Sequence, residues 1–279
     1  MRLTRIVEEI IFYIILAVVM TTILFPIYWM AITSVKIERD VITDVPVFLP
    51  TYITLKHYED VLIYQNFTRY IVNTFIVSII AIGISLFAGS LAAYALTRLG
   101  LPANLDNIFL FITLLVRMLP TGAFVIPLYL ILDSLGLINT LTGLAIAYQI
   151  YILPLSIWLL LGFFRSVPIE VEEAGLVDGA SRLTVFRMII LPLVMPGLIA
   201  TMIVDFMTIW NEYFYALIFL TAPDVMTISV VIGGYLTEYG TLWGQLCAAG
   251  LISSLPILIL ASYIQKYIVE SFGYAGIVR

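Results

Sequence analysis

Six long apolar blocks, at about residues 10–33, 70–95, 106–132, 140–164, 194–220 and 247–268, alternate with polar intervals along the chain. Each exceeds the ~20 residues a helix needs to cross ~30 Å of hydrocarbon. The pattern predicts an all-α integral membrane protein with six transmembrane helices, organised as a single transmembrane domain over residues 1–279. The first block follows Arg2 and Arg5. It is too long for the apolar region of a signal peptide and lacks a small-residue cleavage site, so it reads as a span. Pro120, Pro127, Pro154 and Pro256 fall inside predicted spans, where a proline bends a helix if neighbours satisfy the freed carbonyls.

The positive charges set the orientation. With the N-terminus inside, the inner segments hold Arg2, Arg5, Arg98, Arg165, Arg182, Arg187, Lys266 and Arg279, whereas Lys36, Arg39, Lys56 and Arg69 are confined to one outer loop. Both termini and the 165–193 interval are therefore expected on the cytoplasmic side. The extracytoplasmic loop 34–69 contains Pro46 and Pro50 and predicts a structured surface loop with a short amphipathic piece around Tyr58–Tyr64. Residues 223–246, with Gly233, Gly234 and Gly240, are too apolar for a free loop and predict an outer cap or partly re-entrant element.

The 165–193 interval, RSVPIEVEEAGLVDGASRLTVFRMIILPL, predicts two short helices meeting at a small-residue elbow. Ser166 is a candidate cap for the first, with Pro168 just inside it. Glu170, Glu172 and Glu173 lie in its first turns, where carboxylates suit the helix dipole. Gly175, Gly179 and Ala180 leave room for close approach of another backbone. Ser181 can cap the second helix, whose apolar positions Leu183, Phe186, Ile189 and Ile190 keep helical spacing. Pro192 and Pro196 mark the handover to the next span.

Composition narrows the chemistry. Of the 279 residues 62% are hydrophobic and 11% charged, against about a quarter charged in soluble domains. The single Cys247, expected at the start of a helix, excludes an internal disulfide and a cysteine metal cluster. The single His57 lies in a polar loop and reads as solvated. One histidine builds no HExxH centre, and no Gly-Lys pair exists to form a phosphate-binding loop. No nucleophile–base pair stands out, so the chain reads as non-catalytic, with no cofactor or metal of its own and no nucleic-acid partner.

Glu173-Ala174-Gly175, then Gly179, Ile189, Leu191 and Pro192, resemble the EAA motif of ABC importer permeases, with Gly175 where Ala is usual. The longer run EAGLVDGASRLTVFRMIILPLVMP resembles the carbohydrate-uptake branch, the maltose/trehalose type. WLLLGFFRSVP, LGLINTLTGL and Trp210-Asn211-Glu212-Tyr213-Phe214 extend the likeness over most of the chain from Tyr70 onward. The tail SFGYAGIVR resembles that of the shorter, six-helix permease of the pair, whose tail can reach the ATPase; here it ends in Ile277-Val278-Arg279.

The resemblance implies a type I importer permease fold in the cell membrane. It implies a second permease subunit, two ATP-binding subunits that carry ATP and Mg, and an extracytoplasmic sugar-binding protein. Membrane lipid surrounds the spans. The coupling residues it implies are Glu173, Ala174, Gly175, Asp178, Gly179, Ala180, Phe186, Ile189, Leu191 and Pro192. Phe186 would anchor the loop in a cleft of the ATPase and Glu173 would pair with a basic residue there. Another class of ABC importer, an ion-coupled secondary transporter with inverted repeats and an intramembrane enzyme are the competing readings.

Charges inside a span usually face a cavity or a partner. Arg117 and Asp205 lie about midway along the third and fifth blocks, either as an ion pair or as two groups each facing cavity water. Asp205, Ile209 and Glu212, at i, i+4 and i+7, share one helix face. The resemblance places these, with Tyr148 and Tyr151 on the fourth helix, along a substrate pathway. Tyrosine rings cover apolar sugar faces and acceptors bind hydroxyls; helix packing is the alternative for the tyrosines. Asn211 either lines this pathway or bridges helices.

Overall fold

A computed structural model of the chain describes residues 2–100, 102, 105–238 and 240–275, with side chains for residues 8–100, 102, 105–238 and 240–262. Arg2, Arg5, Lys266 and Arg279, counted above for orientation, and the side chains of the SFGYAGIVR tail lie outside the described side chains. The chain forms two compact units, residues 1–68 with 231–258 and residues 69–230 with 259–279.

In the first unit the helix Arg2–Thr33 is apolar, and from Glu8 to Tyr28 its side chains are exposed. An all-round apolar helix is suited to hydrocarbon. The following loop folds into short helices at Glu38–Val41 and Lys56–Glu59, continued by a π-helical turn at Asp60–Tyr64, which is the short piece expected near Tyr58–Tyr64. His57, expected to be solvated, is buried. Its Nε2 lies 2.9 Å from the carbonyl oxygen of Lys36, and Gly244 packs so closely that a Cβ there would stand 2.4 Å from the ring. Lys36 itself is only 1% exposed, with its ammonium 4.1 Å from the centre of the Trp29 ring, a desolvated cation on an aromatic face. The 231–246 stretch contains a two-stranded hairpin, Leu236–Thr237 with Gly240–Thr241, followed by the helix Trp243–Ala275, which carries Cys247 near its start.

The second unit holds the rest. Phe67–Tyr94 runs on through a π-helical turn, Ala95–Leu99. Among the described residues, four helices are long and apolar enough to cross a membrane: Glu8–Thr33, Phe67–Leu99, Gln149–Ser166 and Trp243–Ser262. Two bent pairs complete six candidates.

The third block, expected as one span over 106–132 with Pro120 and Pro127 as candidate bends, is broken. Leu105–Met118 and Thr121–Ser134 meet at 104°. Pro120 disfavours helical geometry at Leu119 and removes an amide, so the helix ends before it. Pro127 causes no break because it sits in the first turn of Val125–Ser134, where its missing amide would have no intrahelical acceptor. The fifth block is also divided. Met195–Trp210 is a 16-residue helix, about 24 Å long. It meets the preceding Arg182–Leu193 segment at 71°, the handover marked by Pro192 and Pro196.

Small residues let the central helices approach. Ser85, Gly89 and Ala93 recur every four residues on Phe67–Tyr94, so they share a face. A Cβ at Gly89 would stand 3.3 Å from the Cβ of Ser156 on Gln149–Ser166. Trp158 donates its indole N–H to Thr113 (3.0 Å), joining Leu105–Met118 to the same helix.

The LGLINTLTGL stretch is a turn with its own logic. Asn139 adopts φ 58°, and its side-chain oxygen accepts from the amides of Thr221 (2.6 Å) and Ala222 (2.8 Å). Thr140 caps Leu141–Ala147 by accepting from the amide of Gly143 at 3.0 Å. At the neighbouring edge, Arg69 pairs with Asp224 (2.5 Å) and Asn73 donates to the carbonyl oxygens of Asp224 and Met226, both at 3.0 Å.

Candidate coupling site

The elbow of residues 165–193 begins with the helix Ile169–Val177. Ser166 does not cap it: this residue still belongs to the helix Gln149–Ser166, and its hydroxyl donates back to the Phe163 carbonyl at 2.8 Å. Pro168 occupies the cap position instead, without a side-chain bond. At the other end Asp178 is the last half-helical residue and Gly179 takes φ +87°. The Ala180 amide bonds the Gly175 carbonyl and the Gly179 amide bonds the Leu176 carbonyl, both at 3.1 Å. This pair of bonds is a Schellman closure, which needs a left-handed residue. Gly179 therefore serves the turn, with open space beside it within this chain.

Ser181 caps the second helix as expected, accepting from the Thr184 amide at 3.2 Å. A π-helical turn then spans Phe186–Ile190 and changes which side chains face inward. Val185, Phe186 and Ile190 are buried with Ala93, Tyr94, Leu160, Phe164, Val167 and Val194. The Phe186 ring lies 4.8 Å from that of Tyr94 and 6.4 Å from that of Phe164. The expectation that Phe186 inserts into another chain is thus corrected: it anchors the elbow to its own core. Leu183, expected on the same apolar face, points outward at 71% exposure. Ile189 is half-buried against Gly175, where a Cβ would come within 2.7 Å of its Cδ1. The glycine in place of the usual alanine is therefore filled from within the elbow.

The outer surface of the elbow is built from Glu173, Ala174, Asp178, Gly179 and Pro192, all exposed, with Ala180 and Leu191 half-buried. Val177 at 86% and Met188 at 71% exposure join Leu183 as apolar groups that the chain leaves uncovered. Glu172, adjacent to Glu173, turns inward instead. Its carboxylate meets Arg98 Nε at 3.0 Å and accepts the Tyr94 hydroxyl at 2.5 Å. Sequence reasoning missed this cluster, because Arg98 registered only as an inside positive charge and Glu172 only as a dipole-matched carboxylate. Spacing alone carries no signal that joins residues 74 positions apart.

The second set of expected residues divides by burial. Tyr148 is fully buried and donates to Glu212 Oε2 at 2.9 Å. Glu212 lies beyond the helix that ends at Trp210, so the i, i+7 relation to Asp205 is not helical. Its two carboxylate oxygens accept the amides of Tyr215 (2.8 Å) and Ala216 (3.1 Å), starting the helix Phe214–Phe219. Tyr151 is half-buried, and its ring stacks on that of Tyr215 at 5.9 Å. Ile209 is buried. Asn211 is exposed and bonds the Met207 carbonyl of its own last turn (2.7 Å), so it bridges no helices.

Asp205 is fully buried and accepts the Ser156 hydroxyl at 2.6 Å; Ser156 and Ser85 hydroxyls are 2.7 Å apart. Arg117, in the last turn of Leu105–Met118, is exposed. Of the two arrangements left open for these charges, the ion pair is not formed: Asp205 is buried on Ser156, whereas Arg117 is exposed. Among the described residues no group of His, Cys, Asp and Glu is placed to hold a metal.

Residues 85–273 match the family described as binding-protein-dependent transport system inner membrane component. The diacetylchitobiose uptake system permease protein DasC of Streptomyces coelicolor is 35% identical over 255 residues, 91% of each chain. The trehalose/maltose transport system permease protein MalG of Thermococcus litoralis is 34% identical over 255 residues, 88% of each. The crystal structure of a bacterial ABC transporter involved in the import of the acidic polysaccharide alginate superposes with a TM-score of 0.79 at 25% identity, covering 94% of this chain and 96% of that one. With two thirds of its length in the family match, relatives of this identity and the same permease architecture, this multi-pass membrane chain belongs to the inner membrane components of binding-protein-dependent transport systems, the permeases of ABC importers.

Proposed function

We propose that this chain is one permease subunit of an ATP-driven importer for a sugar or oligosaccharide. It forms half of the pathway and is coupled to a separate ATPase by alternating access. The observation that carries the coupling role is the elbow. Its own core is filled by Phe186, Val185 and Ile190, while Glu173, Val177, Leu183 and Met188 stand uncovered around a rigid Schellman turn. An apolar patch rimmed by a carboxylate is the surface a cytoplasmic partner would cover.

The partners in this reading are a second permease, two ATP-binding chains that carry ATP and Mg, and an extracytoplasmic binding protein that delivers the sugar. The chain has no phosphate-binding loop of its own. The sugar class rests on relatives named for uptake of diacetylchitobiose and of trehalose/maltose. Tyr151, Asn211 and Glu212, not fully buried, are the members of the expected pathway left to meet substrate, whereas Tyr148, Asp205 and Ile209 are buried among the helices.

Gentle detergent purification of the tagged chain from its native membrane, with mass identification of what accompanies it, tests the assembly. A second permease and a P-loop ATPase are expected, followed by ATP-dependent uptake from a panel of sugars after reconstitution. Glu173→Lys or Gly179→Trp should detach the ATPase or uncouple it while the chain stays folded. A lone chain under complex-preserving conditions, or normal sugar-linked ATP turnover in both variants, refutes the reading.

A further inference from the structure

Within the second unit, one buried guanidinium joins three elements. Arg98 stands in the π-helical turn Ala95–Leu99, and its side chain is 7% exposed. Its Nε lies 3.0 Å from Oε2 of Glu172 on the elbow helix. Its Nη2 donates to the carbonyl oxygens of Phe164 (3.1 Å) and Val167 (2.6 Å), at the end of Gln149–Ser166. The last carbonyls of a helix lack intrahelical donors, and this arginine supplies them. Tyr94, one turn before Arg98, takes the other oxygen of Glu172 at 2.5 Å.

Two adjacent glutamates of the elbow thus face opposite ways, Glu173 outward and Glu172 into the clamp. The clamp cannot slip gradually. Separating its charges would leave each buried without a partner, a state far less stable than the joined one. Farther along the same helices, Gly89 lies against Ser156, and the Ser85–Ser156–Asp205 chain reaches the helix Met195–Trp210.

We propose that the Arg98–Glu172–Tyr94 cluster is the mechanical link of this permease. It fastens the elbow to Phe67–Leu99 and Gln149–Ser166, so that displacement of the elbow by the ATPase moves these helices as one body. The inference rests on the importer reading above and goes further by naming positioning residues within this chain. None of the three needs to touch sugar, nucleotide or the ATPase.

The test uses the whole importer in proteoliposomes with its binding protein, measuring sugar uptake and ATP hydrolysis separately. Arg98→Gln and Glu172→Gln should keep the ATPase subunits bound and hydrolysing ATP, while sugar moved per ATP falls about tenfold or more. Arg98→Lys, which keeps the charge without the fork, should recover only part of this ratio. Uptake and hydrolysis that fall in proportion, or that both stay at wild-type levels, overturn the proposal. If Arg98→Gln fails to assemble, Glu172→Gln and Tyr94→Phe, which preserve shape, decide; failure of assembly in all three makes the cluster purely structural and also overturns it. Absence of ATP-dependent uptake by the unmodified complex would refute the importer reading itself.

Discussion

Among the described glycines, Gly143 is where an added methyl group comes nearest to another atom. A Cβ at this position would stand 2.1 Å from the Leu137 carbonyl oxygen and 3.0 Å from Thr140 Oγ1. Ordinary contact begins at 3.4 Å, so the oxygen must retreat by 1.3 Å, the difference of the two distances. It is not free to do so. The Leu137 oxygen accepts the Thr140 hydroxyl at 2.7 Å, that hydroxyl accepts the Gly143 amide at 3.0 Å, and Asn139 is tied to Phe219 and Thr221. Gly143→Ala therefore forces overpacking, about 1–3 kcal/mol, and loses the cap, ~1 kcal/mol. The better helix propensity of alanine returns ~1 kcal/mol. The net destabilisation is about 1–3 kcal/mol, from the same terms. In a chain of this size each kcal/mol lowers the midpoint by about 2–4 °C. The assay is a thermal melt of the purified chain in detergent followed by circular dichroism, with Thr140→Ala as the variant that loses only the cap. A Gly143→Ala chain as stable as the unmodified one, or more stable than Thr140→Ala, would refute the steric argument.

The same melt checks further expectations. Ser156→Ala leaves the buried Asp205 Oδ2 without its donor and should cost about 1–3 kcal/mol; no loss would show that another group satisfies it. Arg117→Gln and Asp205→Asn should add within ~0.5 kcal/mol, since Arg117 is exposed and Asp205 is held by Ser156. Gly179→Ala should cost about 1–2 kcal/mol through its left-handed φ, with Gly179→Asn milder. Arg69→Ala should change little, ~0–1 kcal/mol, because its pair with Asp224 is exposed. The buried Asn73→Ala should cost more, having two carbonyl partners to abandon.

The elbow shows where sequence reasoning reaches and where it stops. Ser181 as a cap and Pro192 and Pro196 at the handover were legible because each acts within a few residues of its own position. Gly179 was recognised as special, but for close approach rather than for the Schellman turn that its φ serves. Phe186 was assigned to another chain by resemblance, and only the packing of its ring against Tyr94 and Phe164 shows that its own chain covers it. His57 and Lys36 sat in a stretch of loop composition, and only the packing of Gly244 and Trp29 against them reveals that both are buried.

Apolar block length, charge asymmetry and the 165–193 pattern determined, from sequence alone, a multi-span membrane protein with a helical elbow at 165–193. These properties follow from transfer free energy and local backbone preference, which are written into consecutive residues. Which glutamate faces out and which is clamped, that Asp205 meets Ser156 rather than Arg117, and that the third span breaks by 104° were decided by the tertiary structure. Those outcomes depend on close approach between helices distant in sequence, where a buried polar group must take whichever partner the packing brings within reach.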